Sequence, residues 1–324
     1  MSRAIGVDLG GSHVMAALVH EDGELGKKHE IDLDDRAPAK VVDALESVVG
    51  DALAEADHDV TGIGIGAPGN IDAQSGTVRY SPNFLWHDVP LGALVRERFP
   101  KLSVFVGNDA RCATLGEYAH GVGQGSEDFA LLTLGTGIGG GFVSRGVMAL
   151  GHMMGAGEFG HHTIRPESGF ICGCGKVGCF EAQASGTGLI RHALRLAPSF
   201  PRSTLLDVPA GKQLGSKAIR KAAQAGDPHG LAAFNAFCDD LALGLSNVIA
   251  FVNPEIIALG GGVASAGDFL LERVLPAVEL RTTMVPRGTT RIVRAALGND
   301  AGAVGAATAV MRGGLIAKAS AAVS

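Results

Sequence analysis

The sequence predicts an α/β protein of about two domains, on three observations. A strand pattern that enters a glycine turn and returns as a strand fills residues 4–19 ("AIGVDLGGSHVMAALV"), and the same layout restarts at residues 129–146 ("FALLTLGTGIGGGFVSRG"). Such a repeat points to two related halves. Apolar runs of strand length alternate with stretches of helical period. The 324 residues are 46% hydrophobic, enough to bury a sizeable core, and the 48 glycines stand between apolar runs, as in tight turns.

Taken in order, residues 4–11 read as a strand into a glycine turn and residues 13–19 as its return. "EDGE" then turns the chain into "LGKKHEIDL", so the opening is a β-meander. Val41, Leu45, Val48 and Val49 share one face of a helix. "VTGIGIGAPGN" is a buried strand running into a turn. "LSVFVGNDA" is another strand, and "ARCATLGEYAHG" is the helix after it. Asn108 and Asp109 therefore stand at the carboxyl end of a strand, where open α/β sheets hold ligands. After the restart, Leu231, Phe234, Cys238, Leu241, Leu245, Val248 and Val252 step by three and four, giving one long core helix stopped at Asn253-Pro254. "EIIALGGG" is a strand before a glycine turn, "TTRIVRAAL" is a further strand, and Asp300 is placed to cap a last helix of small residues.

Composition narrows the function. A net charge of −6 with no basic stripe argues against nucleic acid as a partner. The start "MSRAIGVDLGG" lacks the apolar run of a signal peptide. No window holds the roughly 18 consecutive apolar residues of a membrane span. The expectation is a cytoplasmic protein with no membrane contact, in which clustered thiols stay reduced and suggest a metal rather than disulfides.

Four features carry chemistry. Gly10, Gly11 and Ser12 follow Asp8 on a strand. Such a turn either cradles a phosphate, with Asp8 reaching Mg²⁺ through water, or is an ordinary hairpin. "GTGIGG" at 135–140 fits G-x-G-x-x-G, yet a dinucleotide site needs a helix next, and "GGGFVS" suits a strand better. Asp109 is a general base or a helix cap. The strongest signal is Cys172-x-Cys174-x₄-Cys179, three thiolates that one histidine would complete as a tetrahedral zinc site. Cys112 and Cys238 read as buried helix residues.

Together, "DLGGS", "GAPGNID", "SPNFLWHDVPL", "GNDARCATLGE", "LTLGTGIGGGF", "GEFGHHT", "CGCGKVGCFE" and "ALGGGV" resemble, in order and over nearly the whole chain, the ROK family of sugar kinases and sugar-responsive repressors. The resemblance implies a two-domain hexokinase/actin-like (ribonuclease H-like) α/β fold with a duplicated β-meander core and a zinc-bound loop. It implies an N-terminal domain at 1–113, with a helix from 300–324 packed back on it, and a larger domain at 114–299. It implies an ATP-dependent hexose kinase, most like a glucokinase, using Mg²⁺ and one structural zinc, and forming homodimers or homotetramers.

By that resemblance Gly10, Gly11 and Ser12 form a first phosphate loop beside Asp8, and Thr136, Gly137 and Gly139 a second. Gly261 and Gly262 lie near the adenosine. Asp109 is the catalytic base beside the sugar-binding Asn108. Asn83, Glu158, His161 and Glu181 contact the sugar, with Gly69 and Asn70 beside them, and His161, Cys172, Cys174 and Cys179 hold zinc. The chain departs from the pattern in Ser12 for the usual Thr, in Arg111, and in one extra residue between His161 and Cys172. His161 keeps the G-E-x-G-H phrase intact, and His162 is the alternative ligand. A repressor of the same family would need a helix-turn-helix for which residues 1–3 leave no room. Fructose, mannose, allose, N-acetylmannosamine and polyphosphate stand as alternative substrates or donors.

Overall fold

The structure is a computed structural model and describes residues 2–56, 60–208 and 212–315. Strands β1 (Arg3–Leu9), β2 (His13–His20) and β3 (His29–Asp32) form the antiparallel meander expected of the opening. Helix α1 (Pro38–Ala54) leads to β4 (Gly62–Ala67), which lies parallel to β1. A small antiparallel sheet follows, β5 (Asn70–Asp72), β6 (Thr77–Ser81) and β7 (Trp86–Val89). Then come α2 (Leu91–Arg98), β8 (Ser103–Asn108), parallel to β4, and α3 (Asp109–His120). The second half runs β9 (Phe129–Leu134), β10 (Ile138–Ser144), β11 (Val147–Met148), α4 (Phe180–Ala184), α5 (Gly186–Leu196), α6 (Ser216–Gln224) and α7 (Pro228–Val252). It ends with β12 (Ile256–Gly260), α8 (Gly261–Ala264), α9 (Asp268–Arg281), β13 (Arg291–Arg294) and α10 (Ala301–Arg312). The two large sheets have strand orders β3-β2-β1-β4-β8 and β11-β10-β9-β12-β13. Both read third, second, first, fourth, fifth, the duplication hinted at by the two glycine hairpins.

The chain divides into two compact units, Met1–Leu131 with Gly141–Gly157 and Ala295–Ser324, and Leu132–Gly140 with Glu158–Arg294. A division at 113/114 would cut through α3, which a close backbone approach ties to α10. A Cβ on Gly305 of α10 would come within 1.7 Å of the Cys112 carbonyl, and one on Gly116 of α3 within 2.4 Å of the Ala301 carbonyl. Two helices that close pack as one block. The remainder of the helix expected at 300–324, beyond residue 315, lies outside the described residues.

In the first unit the strand "GIGIGA" shows how sequence sets the layers. Ile63 and Ile65 are fully buried in a core with Ile5, Val7, Leu45 and Val49. On the opposite face Gly6 and Gly64 admit α10, since a Cβ there would meet the Ala303 and Ala306 carbonyls at 2.2 and 1.9 Å. Alternation of Ile and Gly thus gives one face to a side-chain core and the other to a helix of small residues. Asp300 precedes α10 but makes no side-chain cap; its carboxylate takes Lys28 Nζ at 2.5 Å instead.

In the second unit α7 is the central helix. Asp227 caps it by accepting from Gly230 N–H at 2.6 Å, Pro228 opens it, and Asn253 ends it in the left-handed region at φ 48°. Its 25 residues match a membrane span in length and composition. Yet Phe234, Phe237, Leu241, Leu245 and Val248 are buried, and the helix packs against α4, α5, α6 and α9, which marks a core helix.

Candidate active site

In the first unit, three of the expected residues meet at the end of β8. Asn108 caps α3, its Oδ1 accepting from Arg111 N–H at 3.1 Å. Its Nδ2 donates to Asp109 Oδ1 at 2.9 Å and to the Gly69 carbonyl at 3.1 Å. Asp109 Oδ1 also accepts from Ala110 N–H at 2.8 Å. Two donors therefore fix the plane of the Asp109 carboxylate. Gly69 has φ 116°, and a Cβ there would lie 2.2 Å from the Tyr80 carbonyl, so only glycine at this position presents its own carbonyl to Asn108. Asn70 opens β5, and its Oδ1 is buried with no partner among the described residues. Arg111, the departure noted in the sequence, is buried and donates twice to the Ala156 carbonyl, at 3.0 and 2.8 Å.

The first glycine turn closes with Gly10 N–H donating to the His13 carbonyl at 2.9 Å. A Cβ on Gly11 would stand 3.2 Å from Asn83 Nδ2, so Asn83 adjoins this turn, with Ser12 exposed beside it. Asp8 lies at the carboxyl end of β1. Burial raises its carboxyl above the ordinary range; His13 opposes this, and the charges of Asp300 and Glu30 add to it. A carboxylate held among like charges suits a cation.

In the second unit His161 and the three cysteines converge, their donor atoms all within 4.8 Å of one another. Cys172 Sγ is 3.8 Å from His161 Nδ1, and Cys174 Sγ is 3.6 Å from Cys179 Sγ. Tetrahedral zinc with Zn–S bonds of about 2.3 Å sets its sulfurs about 3.8 Å apart, so this set fits the ion. The loop folds this tightly through Gly175 and Gly178, at φ 87° and 75°. His162 turns the other way. Its Nδ1–H donates to the Phe159 carbonyl at 2.6 Å, its ring packs on Phe180, and burial lowers its pKa. The loop is tied to the core by Arg165, whose Nε donates to Asp240 Oδ1 at 2.8 Å, with His192 Nε2 3.3 Å from the other Asp240 oxygen.

Glu181 links this cluster to the second glycine turn. Its Oε2 accepts from Ile138 N–H at 2.9 Å, and its Oε1 lies 3.6 Å from Cys172 Sγ. A Cβ on Gly137 would fall 2.3 Å from Glu181 Oε2, so any larger residue there would have to displace the Glu181 carboxylate. Thr136 is in the turn, whereas Gly139, grouped with it by resemblance, lies inside β10. That strand stands where a dinucleotide fingerprint would require a helix. Glu158 is exposed at the start of the short 3₁₀ turn Phe159–His161.

Beside the second glycine turn lies a cavity of about 580 Å³. Gly135 and Thr136 line it together with Gly186, Thr187, Leu189 and Ile190 of α5, Ser216, Lys217 and Arg220 of α6, and Gly262, Val263 and Ser265 at α8. Gly261, at φ 83°, packs against the Leu134 carbonyl and starts α8 beside it. Sequence reasoning missed the α5 and α6 residues. The one local signal was "ASGTG", in which Ser185 caps α5 by accepting from Gly188 N–H at 3.2 Å.

The chain matches the ROK family over residues 4–312. It belongs to the ROK family. The ROK match takes in both units and every candidate residue. The chain is 37% identical to a glucokinase of Halalkalibacterium halodurans over 307 residues, 93% of this chain and 92% of that protein. It is 35% identical to a glucokinase of Streptomyces coelicolor over 314 residues, 95% of this chain and 97% of that protein. Its fold is similar to a ROK family glucokinase from Streptomyces griseus in complex with glucose and AMPPNP. The TM-score is 0.82 at 35% identity, covering 94% of this chain and 98% of that one.

Proposed function

We propose that this ROK protein is an ATP-dependent hexose kinase that moves the γ-phosphoryl group of ATP to the 6-hydroxyl of glucose. One observation carries the reading: Asp109 stands at the end of β8 with its carboxylate plane set by Asn108 and Ala110, while Asn108 does the capping. As the sugar O6 attacks the γ-phosphorus, Asp109 accepts the hydroxyl proton. The bond from the γ-phosphorus to the bridging oxygen breaks, and ADP leaves.

Asn83, Asn108, Glu158, His161 and Glu181 bind sugar hydroxyls, with Gly69 and Asn70 shaping the loop beside them. The turn of Gly10, Gly11 and Ser12 and the segment of Thr136, Gly137 and Gly139 face the phosphates, with the Ser12 hydroxyl as a donor. Asp8 would hold Mg²⁺, which when bound would neutralise phosphate charge. The adenosine occupies the cavity beside Gly261 and Gly262. His161, Cys172, Cys174 and Cys179 hold a zinc whose closed shell makes it structural. With one imidazole nitrogen fixed to metal, His161 presents the other to a sugar hydroxyl in a constant direction.

The hydrogen-bonding groups assigned to the sugar, two carboxylates among them, match a ring of hydroxyls and would be left unpaired by an analogue that lacks them. Phosphorus and carbon NMR of the reaction mixture checks the reading. Equal amounts of ADP and a hexose phosphorylated at carbon 6 are expected. ADP formation that is indifferent to added hexose would refute it.

A further inference from the structure

Among the described residues that line the nucleotide cavity, none is aromatic. A nucleobase buried there must find its stacking surface elsewhere, and a flat cationic group suits the face of a π-system. Leu189, Ile190 and Val263 offer aliphatic surface, and Arg220 has the one planar side chain in the described lining. Its guanidinium is held in place. Nη1 donates to Ser265 Oγ, and that hydroxyl donates to the Gly262 carbonyl at 2.6 Å. No carboxylate among the described residues pairs with Arg220, and its Nε is buried without a partner among them. The chain thus keeps an arginine in the cavity wall with one buried donor, Nε, unpaired among the described residues.

We propose that Arg220 is the base platform of the donor site. Its guanidinium lies against one face of the nucleobase, aliphatic side chains take the other, and the larger face of a purine is preferred over a pyrimidine. This inference rests on the nucleotide-donor reading above. The rival role for Arg220 is a plain positive charge near the phosphates, and lysine separates the two because it keeps the charge and loses the plane.

The test is calorimetric titration of ADP and UDP into wild type, Arg220→Ala, Arg220→Lys and Ser265→Ala, with glucose KM measured alongside. Both Arg220 variants should weaken ADP roughly tenfold, with a smaller loss for UDP and an unchanged glucose KM. Ser265→Ala should shift ADP in the same direction by less. ADP binding undiminished in Arg220→Ala, full recovery in Arg220→Lys, or equal losses for ADP and UDP would each overturn the platform. Should Arg220→Ala fail to fold, Arg220→Lys carries the comparison. Failure of wild type to bind ADP at all would refute the donor reading itself, whereas binding that the variants leave intact refutes the platform alone.

Discussion

At the start of α3 the capping bond comes from Asn108, and Asp109 stands one position later with its carboxylate oriented by the Asn108 amide and the Ala110 N–H. If it serves as the proposed base, this carboxylate should be sensitive to loss of charge more than to loss of shape. Asp109→Asn is expected to lower turnover by a factor of about 10² to 10⁴ with little change in sugar affinity; near wild-type turnover in the purified variant would reduce Asp109 to a structural role. Sequence alone named both residues but could not divide base from cap, because the helix start decides it and is uncertain by a residue. Asp8 carries a second prediction. Its folded-state pKa is raised, so its contribution to stability is fully present below the unfolded value of 3.8 and is lost as pH rises through the folded value. At pH 7 the ionised carboxylate works against the ligand-free fold. Asp8→Asn should therefore melt higher than wild type at pH 7 without nucleotide, while losing activity. A lower melting temperature would mean that Asp8 makes a structural contact the fold needs.

Among the elements, the cysteine loop was the most legible in sequence, since Cys-x-Cys-x₄-Cys in a glycine-rich run has few uses besides a metal. Its histidine was not, because the choice depends on how the 3₁₀ turn at Phe159–His161 aims two successive rings. One aims at the thiols and the other at Phe180. Elemental analysis should find about one zinc per chain in wild type and in His162→Ala, and far less in Cys174→Ser and His161→Ala. The metal-poor variants should also melt several degrees lower, as a structural metal contributes folding free energy. Metal retained in His161→Ala and lost in His162→Ala would reverse the assignment. The α3–α10 pair was legible only as two helices rich in small residues. What those residues are for is a backbone approach that a Cβ on Gly305 would block at 1.7 Å. Gly305→Ala should cost roughly 3–5 kcal/mol or prevent folding, as read by chemical denaturation.

On the scale of the whole molecule, the glycine hairpins at residues 4–19 and 129–146 announced a duplication that the two sheets display strand for strand. Regular alternation and strand-end glycines are local signals, so they survive in one sequence. The cavity beside the second glycine turn is not local. Thr187, Ser216, Arg220 and Ser265 come together only because α5, α6 and α8 pack around one space, and no spacing along the chain encodes that. The small β5–β7 sheet was also unread, its segments quoted as motifs while their short strands lack a long alternating run. The central claim, a kinase built for glucose, is tested most directly by kcat/KM at saturating Mg-ATP for glucose, mannose, fructose and an N-acetylated hexosamine. The account predicts glucose first, mannose weaker and the other two poor; a clear preference for fructose or the N-acetylated sugar would contradict it.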